Sequence, residues 1–200
     1  MGTIPAQATG LHDDAVGGTD TRPEFADLAE VLQRYLALPS ATGAGTSPCI
    51  SSEDQTRGLL RITVLMTTQQ EGYEEEVLGI ARPILASEHA EVDILARVHL
   101  AVGRIHLGRT GEESWHTAHV HLDQAQHYAA ALTGALYDLP LIVEIHTHLA
   151  LALHRLEAVD DAIATMHRTR AIIDSSRFTD PSTEKDVNAL YKTVAAKIGM

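Results

Sequence analysis

At 200 residues and a formal charge of -12, the chain suits one acidic domain and disfavours nucleic acid as a partner, because it has no Lys/Arg cluster for phosphate contacts. A single cysteine, Cys49, excludes an internal disulfide and fits a reducing compartment. Apolar residues make up 44% of the chain but aromatics only 4%, a balance that favours close-packed helices over a sheet sandwich.

Residues 1–21 are rich in Gly, Thr, Asp and Ala, show no apolar period, and read as a disordered tail. They have neither the basic start nor the apolar core of a signal peptide, and position six is Ala6, not the Ser or Thr that myristoylation favours. No apolar run approaches the ~20 residues of a membrane span. The expectation is a cytoplasmic protein without membrane contacts. A helix over 22–38 follows, opened by Pro23 and striped by Phe25, Leu28, Leu32, Tyr35 and Leu36. Residues 39–52, with Pro39, Pro48 and two glycines, form a flexible loop.

From 53 to 200 the chain reads as one helical-repeat domain. Ser52 with Asp54 or Gln55 signals a cap, and the helix it opens runs to about Gln70. Gly72 breaks it, and Tyr73 to Ala86 returns, bent or shortened by Pro83. Glu88 to Leu107 is next, ended by Gly108 and Gly111. Glu112 to Leu132 returns. Leu139-Pro140 starts a helix to about Leu156, and Val159 to Ser175 returns with Asp160 and Asp161 near its positive end. Asp180-Pro181 opens a last helix, which buries Val187, Leu190, Tyr191 and Val194 and exposes Lys185, Lys192 and Lys197. No stretch reads as a convincing strand.

The segment His146–Ile173 is the most telling. Ala150 and Ala162 are small residues where the two helices of a hairpin would touch, and Leu149, Leu153, Leu156, Ile163 and Met166 are the large partners. Such a hairpin cannot bury its face alone and must stack on neighbours. Gly103 and His106 in LARVHLAVGRIHLGRTG, and Ala150, Leu153, Ala162 and Met166 in HLALALHRLEAVDDAIATMH, resemble the small and large positions of tetratricopeptide repeats. The stretch YEEEVLGIARPIL resembles the second helix of such a repeat. The likeness covers about 55–185, with spacings of roughly 41–47 residues in place of the usual 34. It is closest in kind to the longer, degenerate repeats of bacterial regulators and scaffolds. It implies an all-α fold: a right-handed α–α superhelix of about three helix pairs with a C-terminal capping helix. Helix 23–38 or a second subunit could cap the other end, the latter giving a homodimer.

Such a superhelix presents a concave surface built from the first helix of each pair. Here Arg97, His99, Arg104, His106, Glu144 and His148 are the expected ligand- or partner-binding residues. The expected partner is a protein, a peptide or a small effector. No G-x-S-x-G, phosphate-binding glycine loop or H-E-x-x-H occurs, so no catalytic residue is assigned and no cofactor is expected. The function read from the sequence is therefore a non-catalytic, regulatory or scaffolding module.

The competing reading is a metal- or haem-dependent helical-bundle enzyme using the histidines of helices 112–132 and 138–156. Glu112, His116, His119 and Asp123 form a line of potential metal ligands at i, i+4, i+7 and i+11. Their bland alternative is a solvated polar face. Trp115 and Tyr128 are either binding anchors or seam-packing residues, and Cys49, among neutral neighbours, reads as an inert loop thiol.

Overall fold

A computed structural model of the chain describes residues 50–134 and 137–200. The expected tail (1–21), the helix over 22–38 and most of the 39–52 loop, Cys49 included, lie outside the described residues.

Seven helices follow one another: α1 (Ser52–Thr68), α2 (Tyr73–Leu85), α3 (Val92–Gly108), α4 (Glu112–Ala130), α5 (Leu139–Arg155), α6 (Val159–Ser175) and α7 (Pro181–Lys197). No strand occurs among the described residues. The caps explain most boundaries. Ser51, one residue before the expected cap, accepts the amide of Asp54 at 3.1 Å and starts α1. Asp138 accepts the amide of Leu141 at 3.0 Å, and Asp180 accepts those of Ser182 and Thr183, each with Pro in the first turn of the helix it opens. Gly72 and Gly111, at φ of +79° and +109°, make the tight turns before α2 and α4. Pro83 is accommodated inside α2, which ends two residues later.

The expected start of α3 at Glu88 is four residues early. Residues 87–91 instead form a turn clamped by Gln55 of α1, which is 1% exposed. Its amide nitrogen donates to the Ile50 carbonyl at 3.0 Å, and its Oε1 accepts the Glu91 amide at 3.2 Å. A buried polar side chain with both ends satisfied ties the first hairpin to the second.

Each helix packs on the next in sequence, and the odd-numbered helices also pack on one another: α1 on α3, α3 on α5 and α5 on α7. The helices are thus arranged as successive hairpins, α1/α2, α3/α4 and α5/α6, followed by α7. The sequence-based expectation of a sheet-free, packed helical fold is met. Ten of the 17 residues of α3 are buried, which makes it a central element.

The core is continuous from hairpin to hairpin. Ile62, Val77, Ala81 and Ile84 of the first pair pack with Ile94, Val98 and Ile105 of α3. The opposite side of α3 joins Ala118, Leu122, Ala125 and Ala129 of α4 and Leu141, Ile145 and Leu149 of α5. Ala150 and Met166, both 0% exposed, then pack with Val194 and Ile198 at the C-terminal end. Each fully buried Leu, Ile or Met contributes roughly 1.5–3 kcal/mol. α3 and α4 approach closely at Gly103. A Cβ placed on Gly103 would stand 2.7 Å from Cγ of Leu122, so this position accepts only the smallest residue without movement of the neighbour.

Candidate functional site

The seam between α3 and α5 gathers four of the expected binding residues. Arg97 and Arg104 are two turns apart on α3 and so share a face. Arg97 donates to Asp138 Oδ2 at 2.6 Å while Asp138 Oδ1 caps α5, so one carboxylate both starts α5 and grips α3. Arg104 donates to Glu144 Oε1 at 2.6 Å. About a third of each side chain in this second pair is exposed, 34% and 31%. Ion pairs so wetted contribute no more than about 1 kcal/mol, so they orient the two helices more than they stabilise them.

One turn beyond Glu144, His148 donates from Nδ1 to the Glu144 carbonyl at 2.7 Å. That bond fixes the tautomer and leaves Nε2 as an acceptor. Burial pushes the His148 pKa down, and the charges of Arg104 and Lys197 act in the same direction. The hydrogen bond and the Glu144 carboxylate oppose them in part. Lys197 is on α7, so side chains from α3, α5 and α7 influence one imidazole.

A cleft of about 560 Å³ opens at one end of this seam, among the N-terminal part of α3, the start of α5 and the α6–α7 connection. Arg97, Asp138 and Asp93 line it with Tyr137, Phe178, Arg177 and Thr183. Tyr137 is 51% exposed, an aromatic side chain held in water at the mouth of a concave surface. Arg177 is exposed and forms no ion pair with any described residue. The cleft therefore combines two cations, carboxylates and aromatic surface. Tyr137, Phe178 and Arg177 were missed in the sequence because they sit in connections between helices, where no periodicity singles them out.

No protein-family model matches this sequence, and no curated protein or solved structure matches it significantly.

His99 and His106 lie apart from the seam, on the side of α3 that meets α4. Their partners are His121 and Tyr128. Nδ1 of His99 is 3.0 Å from Nδ1 of His121. The His99 ring stacks on Tyr128 at 5.5 Å, and the His106 ring lies parallel to His121 at 6.2 Å. Desolvation lowers the pKa of all three histidines, with the His121 charge adding to the effect on His99, which falls to about 4. The row of rings is thus neutral at physiological pH. Of the two readings of Tyr128, the structure has it half-buried and packed between α3 and α4.

The other candidate ligands are arranged differently. His116 Nε2 is 3.6 Å from Glu112, with both side chains mostly in solvent, and Asp123 is exposed. Among the described residues no group of three or more His, Cys, Asp or Glu side chains gathers to hold a metal ion. Trp115 donates from Nε1 to the Arg109 carbonyl at 3.1 Å and carries the Arg155 guanidinium over its ring at 5.7 Å. That arrangement is a packing role. Arg155 also donates to the Leu107 carbonyl at the end of α3, which joins the second and third hairpins. No described helix is long and apolar enough to cross a membrane.

Proposed function

We propose that this chain is a non-catalytic binding module of the tetratricopeptide-like kind. Its hairpins stack as a right-handed superhelix, and its odd-numbered helices line the surface that takes a partner. The repeated contact of each odd helix with the next supports the superhelical reading. So does the small-against-large packing of Gly103 on Leu122 and of Ala150 beside Met166.

The observation that carries the functional reading is the joining of the α3–α5 seam to the cleft. Arg97 belongs to both: it is paired across the seam and lines the cleft wall. Partly exposed ion pairs exchange their partners at low cost, because water already screens them. A peptide or partner protein carrying a carboxylate can therefore take over Arg97 or Arg104. An apolar or aromatic side chain on the same ligand would pack against Tyr137 and Phe178. A small effector that combines an acid with an apolar group fits the same cleft.

The test is affinity capture with the full chain and with an Arg97→Ala, Arg104→Ala, Tyr137→Ala triple variant. The expected result is a stoichiometric partner held by the parent protein and by a Glu112→Ala, His116→Ala control, and lost from the triple variant. Equal capture by the triple variant, at unchanged helicity, overturns the assignment.

A further inference from the structure

The Nδ1–Nδ1 separation of His99 and His121 matches that of two cis donors to one metal ion, reached from the hydrogen-bonded pair when the rings turn so that both lone pairs converge. The pair bridges different helices, α3 and α4, so it is not an accident of spacing along one helix. Its Nδ1 atoms are 3.0 Å apart. Metal–imidazole bonds are about 2.0–2.1 Å long, so an ion held by both nitrogens would subtend an N–M–N angle of roughly 91–97°. That is the cis angle of a tetragonal or octahedral ion and well short of the tetrahedral angle zinc prefers.

We propose that His99 and His121 form a cis bis-imidazole site for a divalent transition ion of tetragonal preference, the Cu2+ or Ni2+ class, with water completing the coordination sphere. The site is distinct from the α3–α5 seam and uses none of the Glu112, His116, His119 and Asp123 line.

The proton count is simple. In the metal-free pair, one ring donates its Nδ1–H to the Nδ1 lone pair of the other. Metal binding needs both Nδ1 lone pairs, so the donor ring moves its proton to Nε2. Both rings stay neutral and no net proton is released. The electrostatics are permissive as well. The nearby Arg109 is held by Glu74 at 2.9 Å and by Glu75 at 2.6 Å, two carboxylates on one guanidinium. Two carboxylates thus accompany the one guanidinium that acts on His106. His106 lies parallel to His121 and has a buried Nδ1 without a hydrogen-bond partner among the described residues.

Full-length protein stripped with EDTA is titrated with NiCl2 by calorimetry, beside His99→Asn and His121→Asn variants and a His116→Asn, His119→Asn control. One ion per chain is expected. Each of the first two variants should bind at least tenfold more weakly, and the control should bind like the parent. Equal isotherms for the parent and His121→Asn would show that exposed histidines alone hold the metal, and would overturn the site.

A footprint on the unmodified protein removes any dependence on how the variants fold. Diethyl pyrocarbonate labelling, read by mass spectrometry, should be suppressed by Ni2+ or Cu2+ at His99 and His121 and unchanged at the exposed His127. Suppression at His127 with none at His99 and His121 would refute the assignment.

Discussion

Replacing Gly103 by Ala tests the packing on which the fold depends. The added Cβ would stand 2.7 Å from Cγ and 2.9 Å from Cδ2 of Leu122, and 3.4 Å from the Ala118 carbonyl oxygen. Carbon atoms rest at about 3.5–4.0 Å, so the overlap with Leu122 is close to 1 Å. Leu122 is 0% exposed and has no open side toward which to move. Overpacking of this kind costs about 1–3 kcal/mol, and the better helix propensity of Ala returns about 1. The net expectation is a loss of up to about 2 kcal/mol, or up to roughly 8 °C in Tm.

Gly79 supplies the opposite case. It lies inside α2 with nothing within 4 Å of an added Cβ, so Gly79→Ala should stabilise by about 0.5–1 kcal/mol. Urea denaturation followed by far-ultraviolet circular dichroism measures both. Gly103→Ala should also cost less in a Leu122→Ala background, because the clash is gone there. Should Gly103→Ala raise the midpoint as Gly79→Ala does, the close approach of α3 and α4 described above is wrong.

Asp138 has two roles that separate by substitution: Asp138→Ala removes the α5 cap and the Arg97 pair and should cost about 1–2 kcal/mol, whereas Asp138→Asn keeps the cap and should cost under about 1, as read by thermal melts. Arg104→Gln and Glu144→Gln should each change stability by less than about 1 kcal/mol, yet Arg104→Gln should reduce partner capture while Glu144→Gln, which frees Arg104, should not. Loss of folding in either would show the pair to be structural. The chain should also lose stability in mild acid. Burial lowers the pKa of His146 and His148 in the folded protein, so below about 6.5 the unfolded chain binds more protons and folding is penalised. Their contribution is complete above that pH and is lost as pH falls toward the folded values. Tm should therefore be lower at pH 4.5 than at pH 7.5, with a shallower decline in a His146→Asn, His148→Asn variant. A decline equal to that of the parent would exclude these two groups as its source.

The helical class and most of the helix ends were legible in the sequence. Period, proline and cap residues act within one turn, and they placed α5 and α6 within a residue and the start of α7. The start of α3 was not legible, because the clamp that ends the preceding turn comes from Gln55, far away in the chain. The same division holds for the candidate site. The repeat resemblance, which implies a surface built from the first helix of each pair, named Arg97 and Arg104 on α3 and Glu144 and His148 on α5, and these four meet at one seam.

Local sequence therefore determined which segments coil and which face of each is apolar, since both follow from side chains three or four positions apart on one helix. Only the tertiary structure decided which polar side chains meet. It separated His99 and His106 from the seam, joined them to His121 and Tyr128 of α4, and built the cleft from connections between helices. Such pairings depend on the rotation and offset of packed helices. Those are set by the close fit of residues such as Gly103 and Leu122, and that fit is a property of two surfaces brought together, which no single stretch of chain contains.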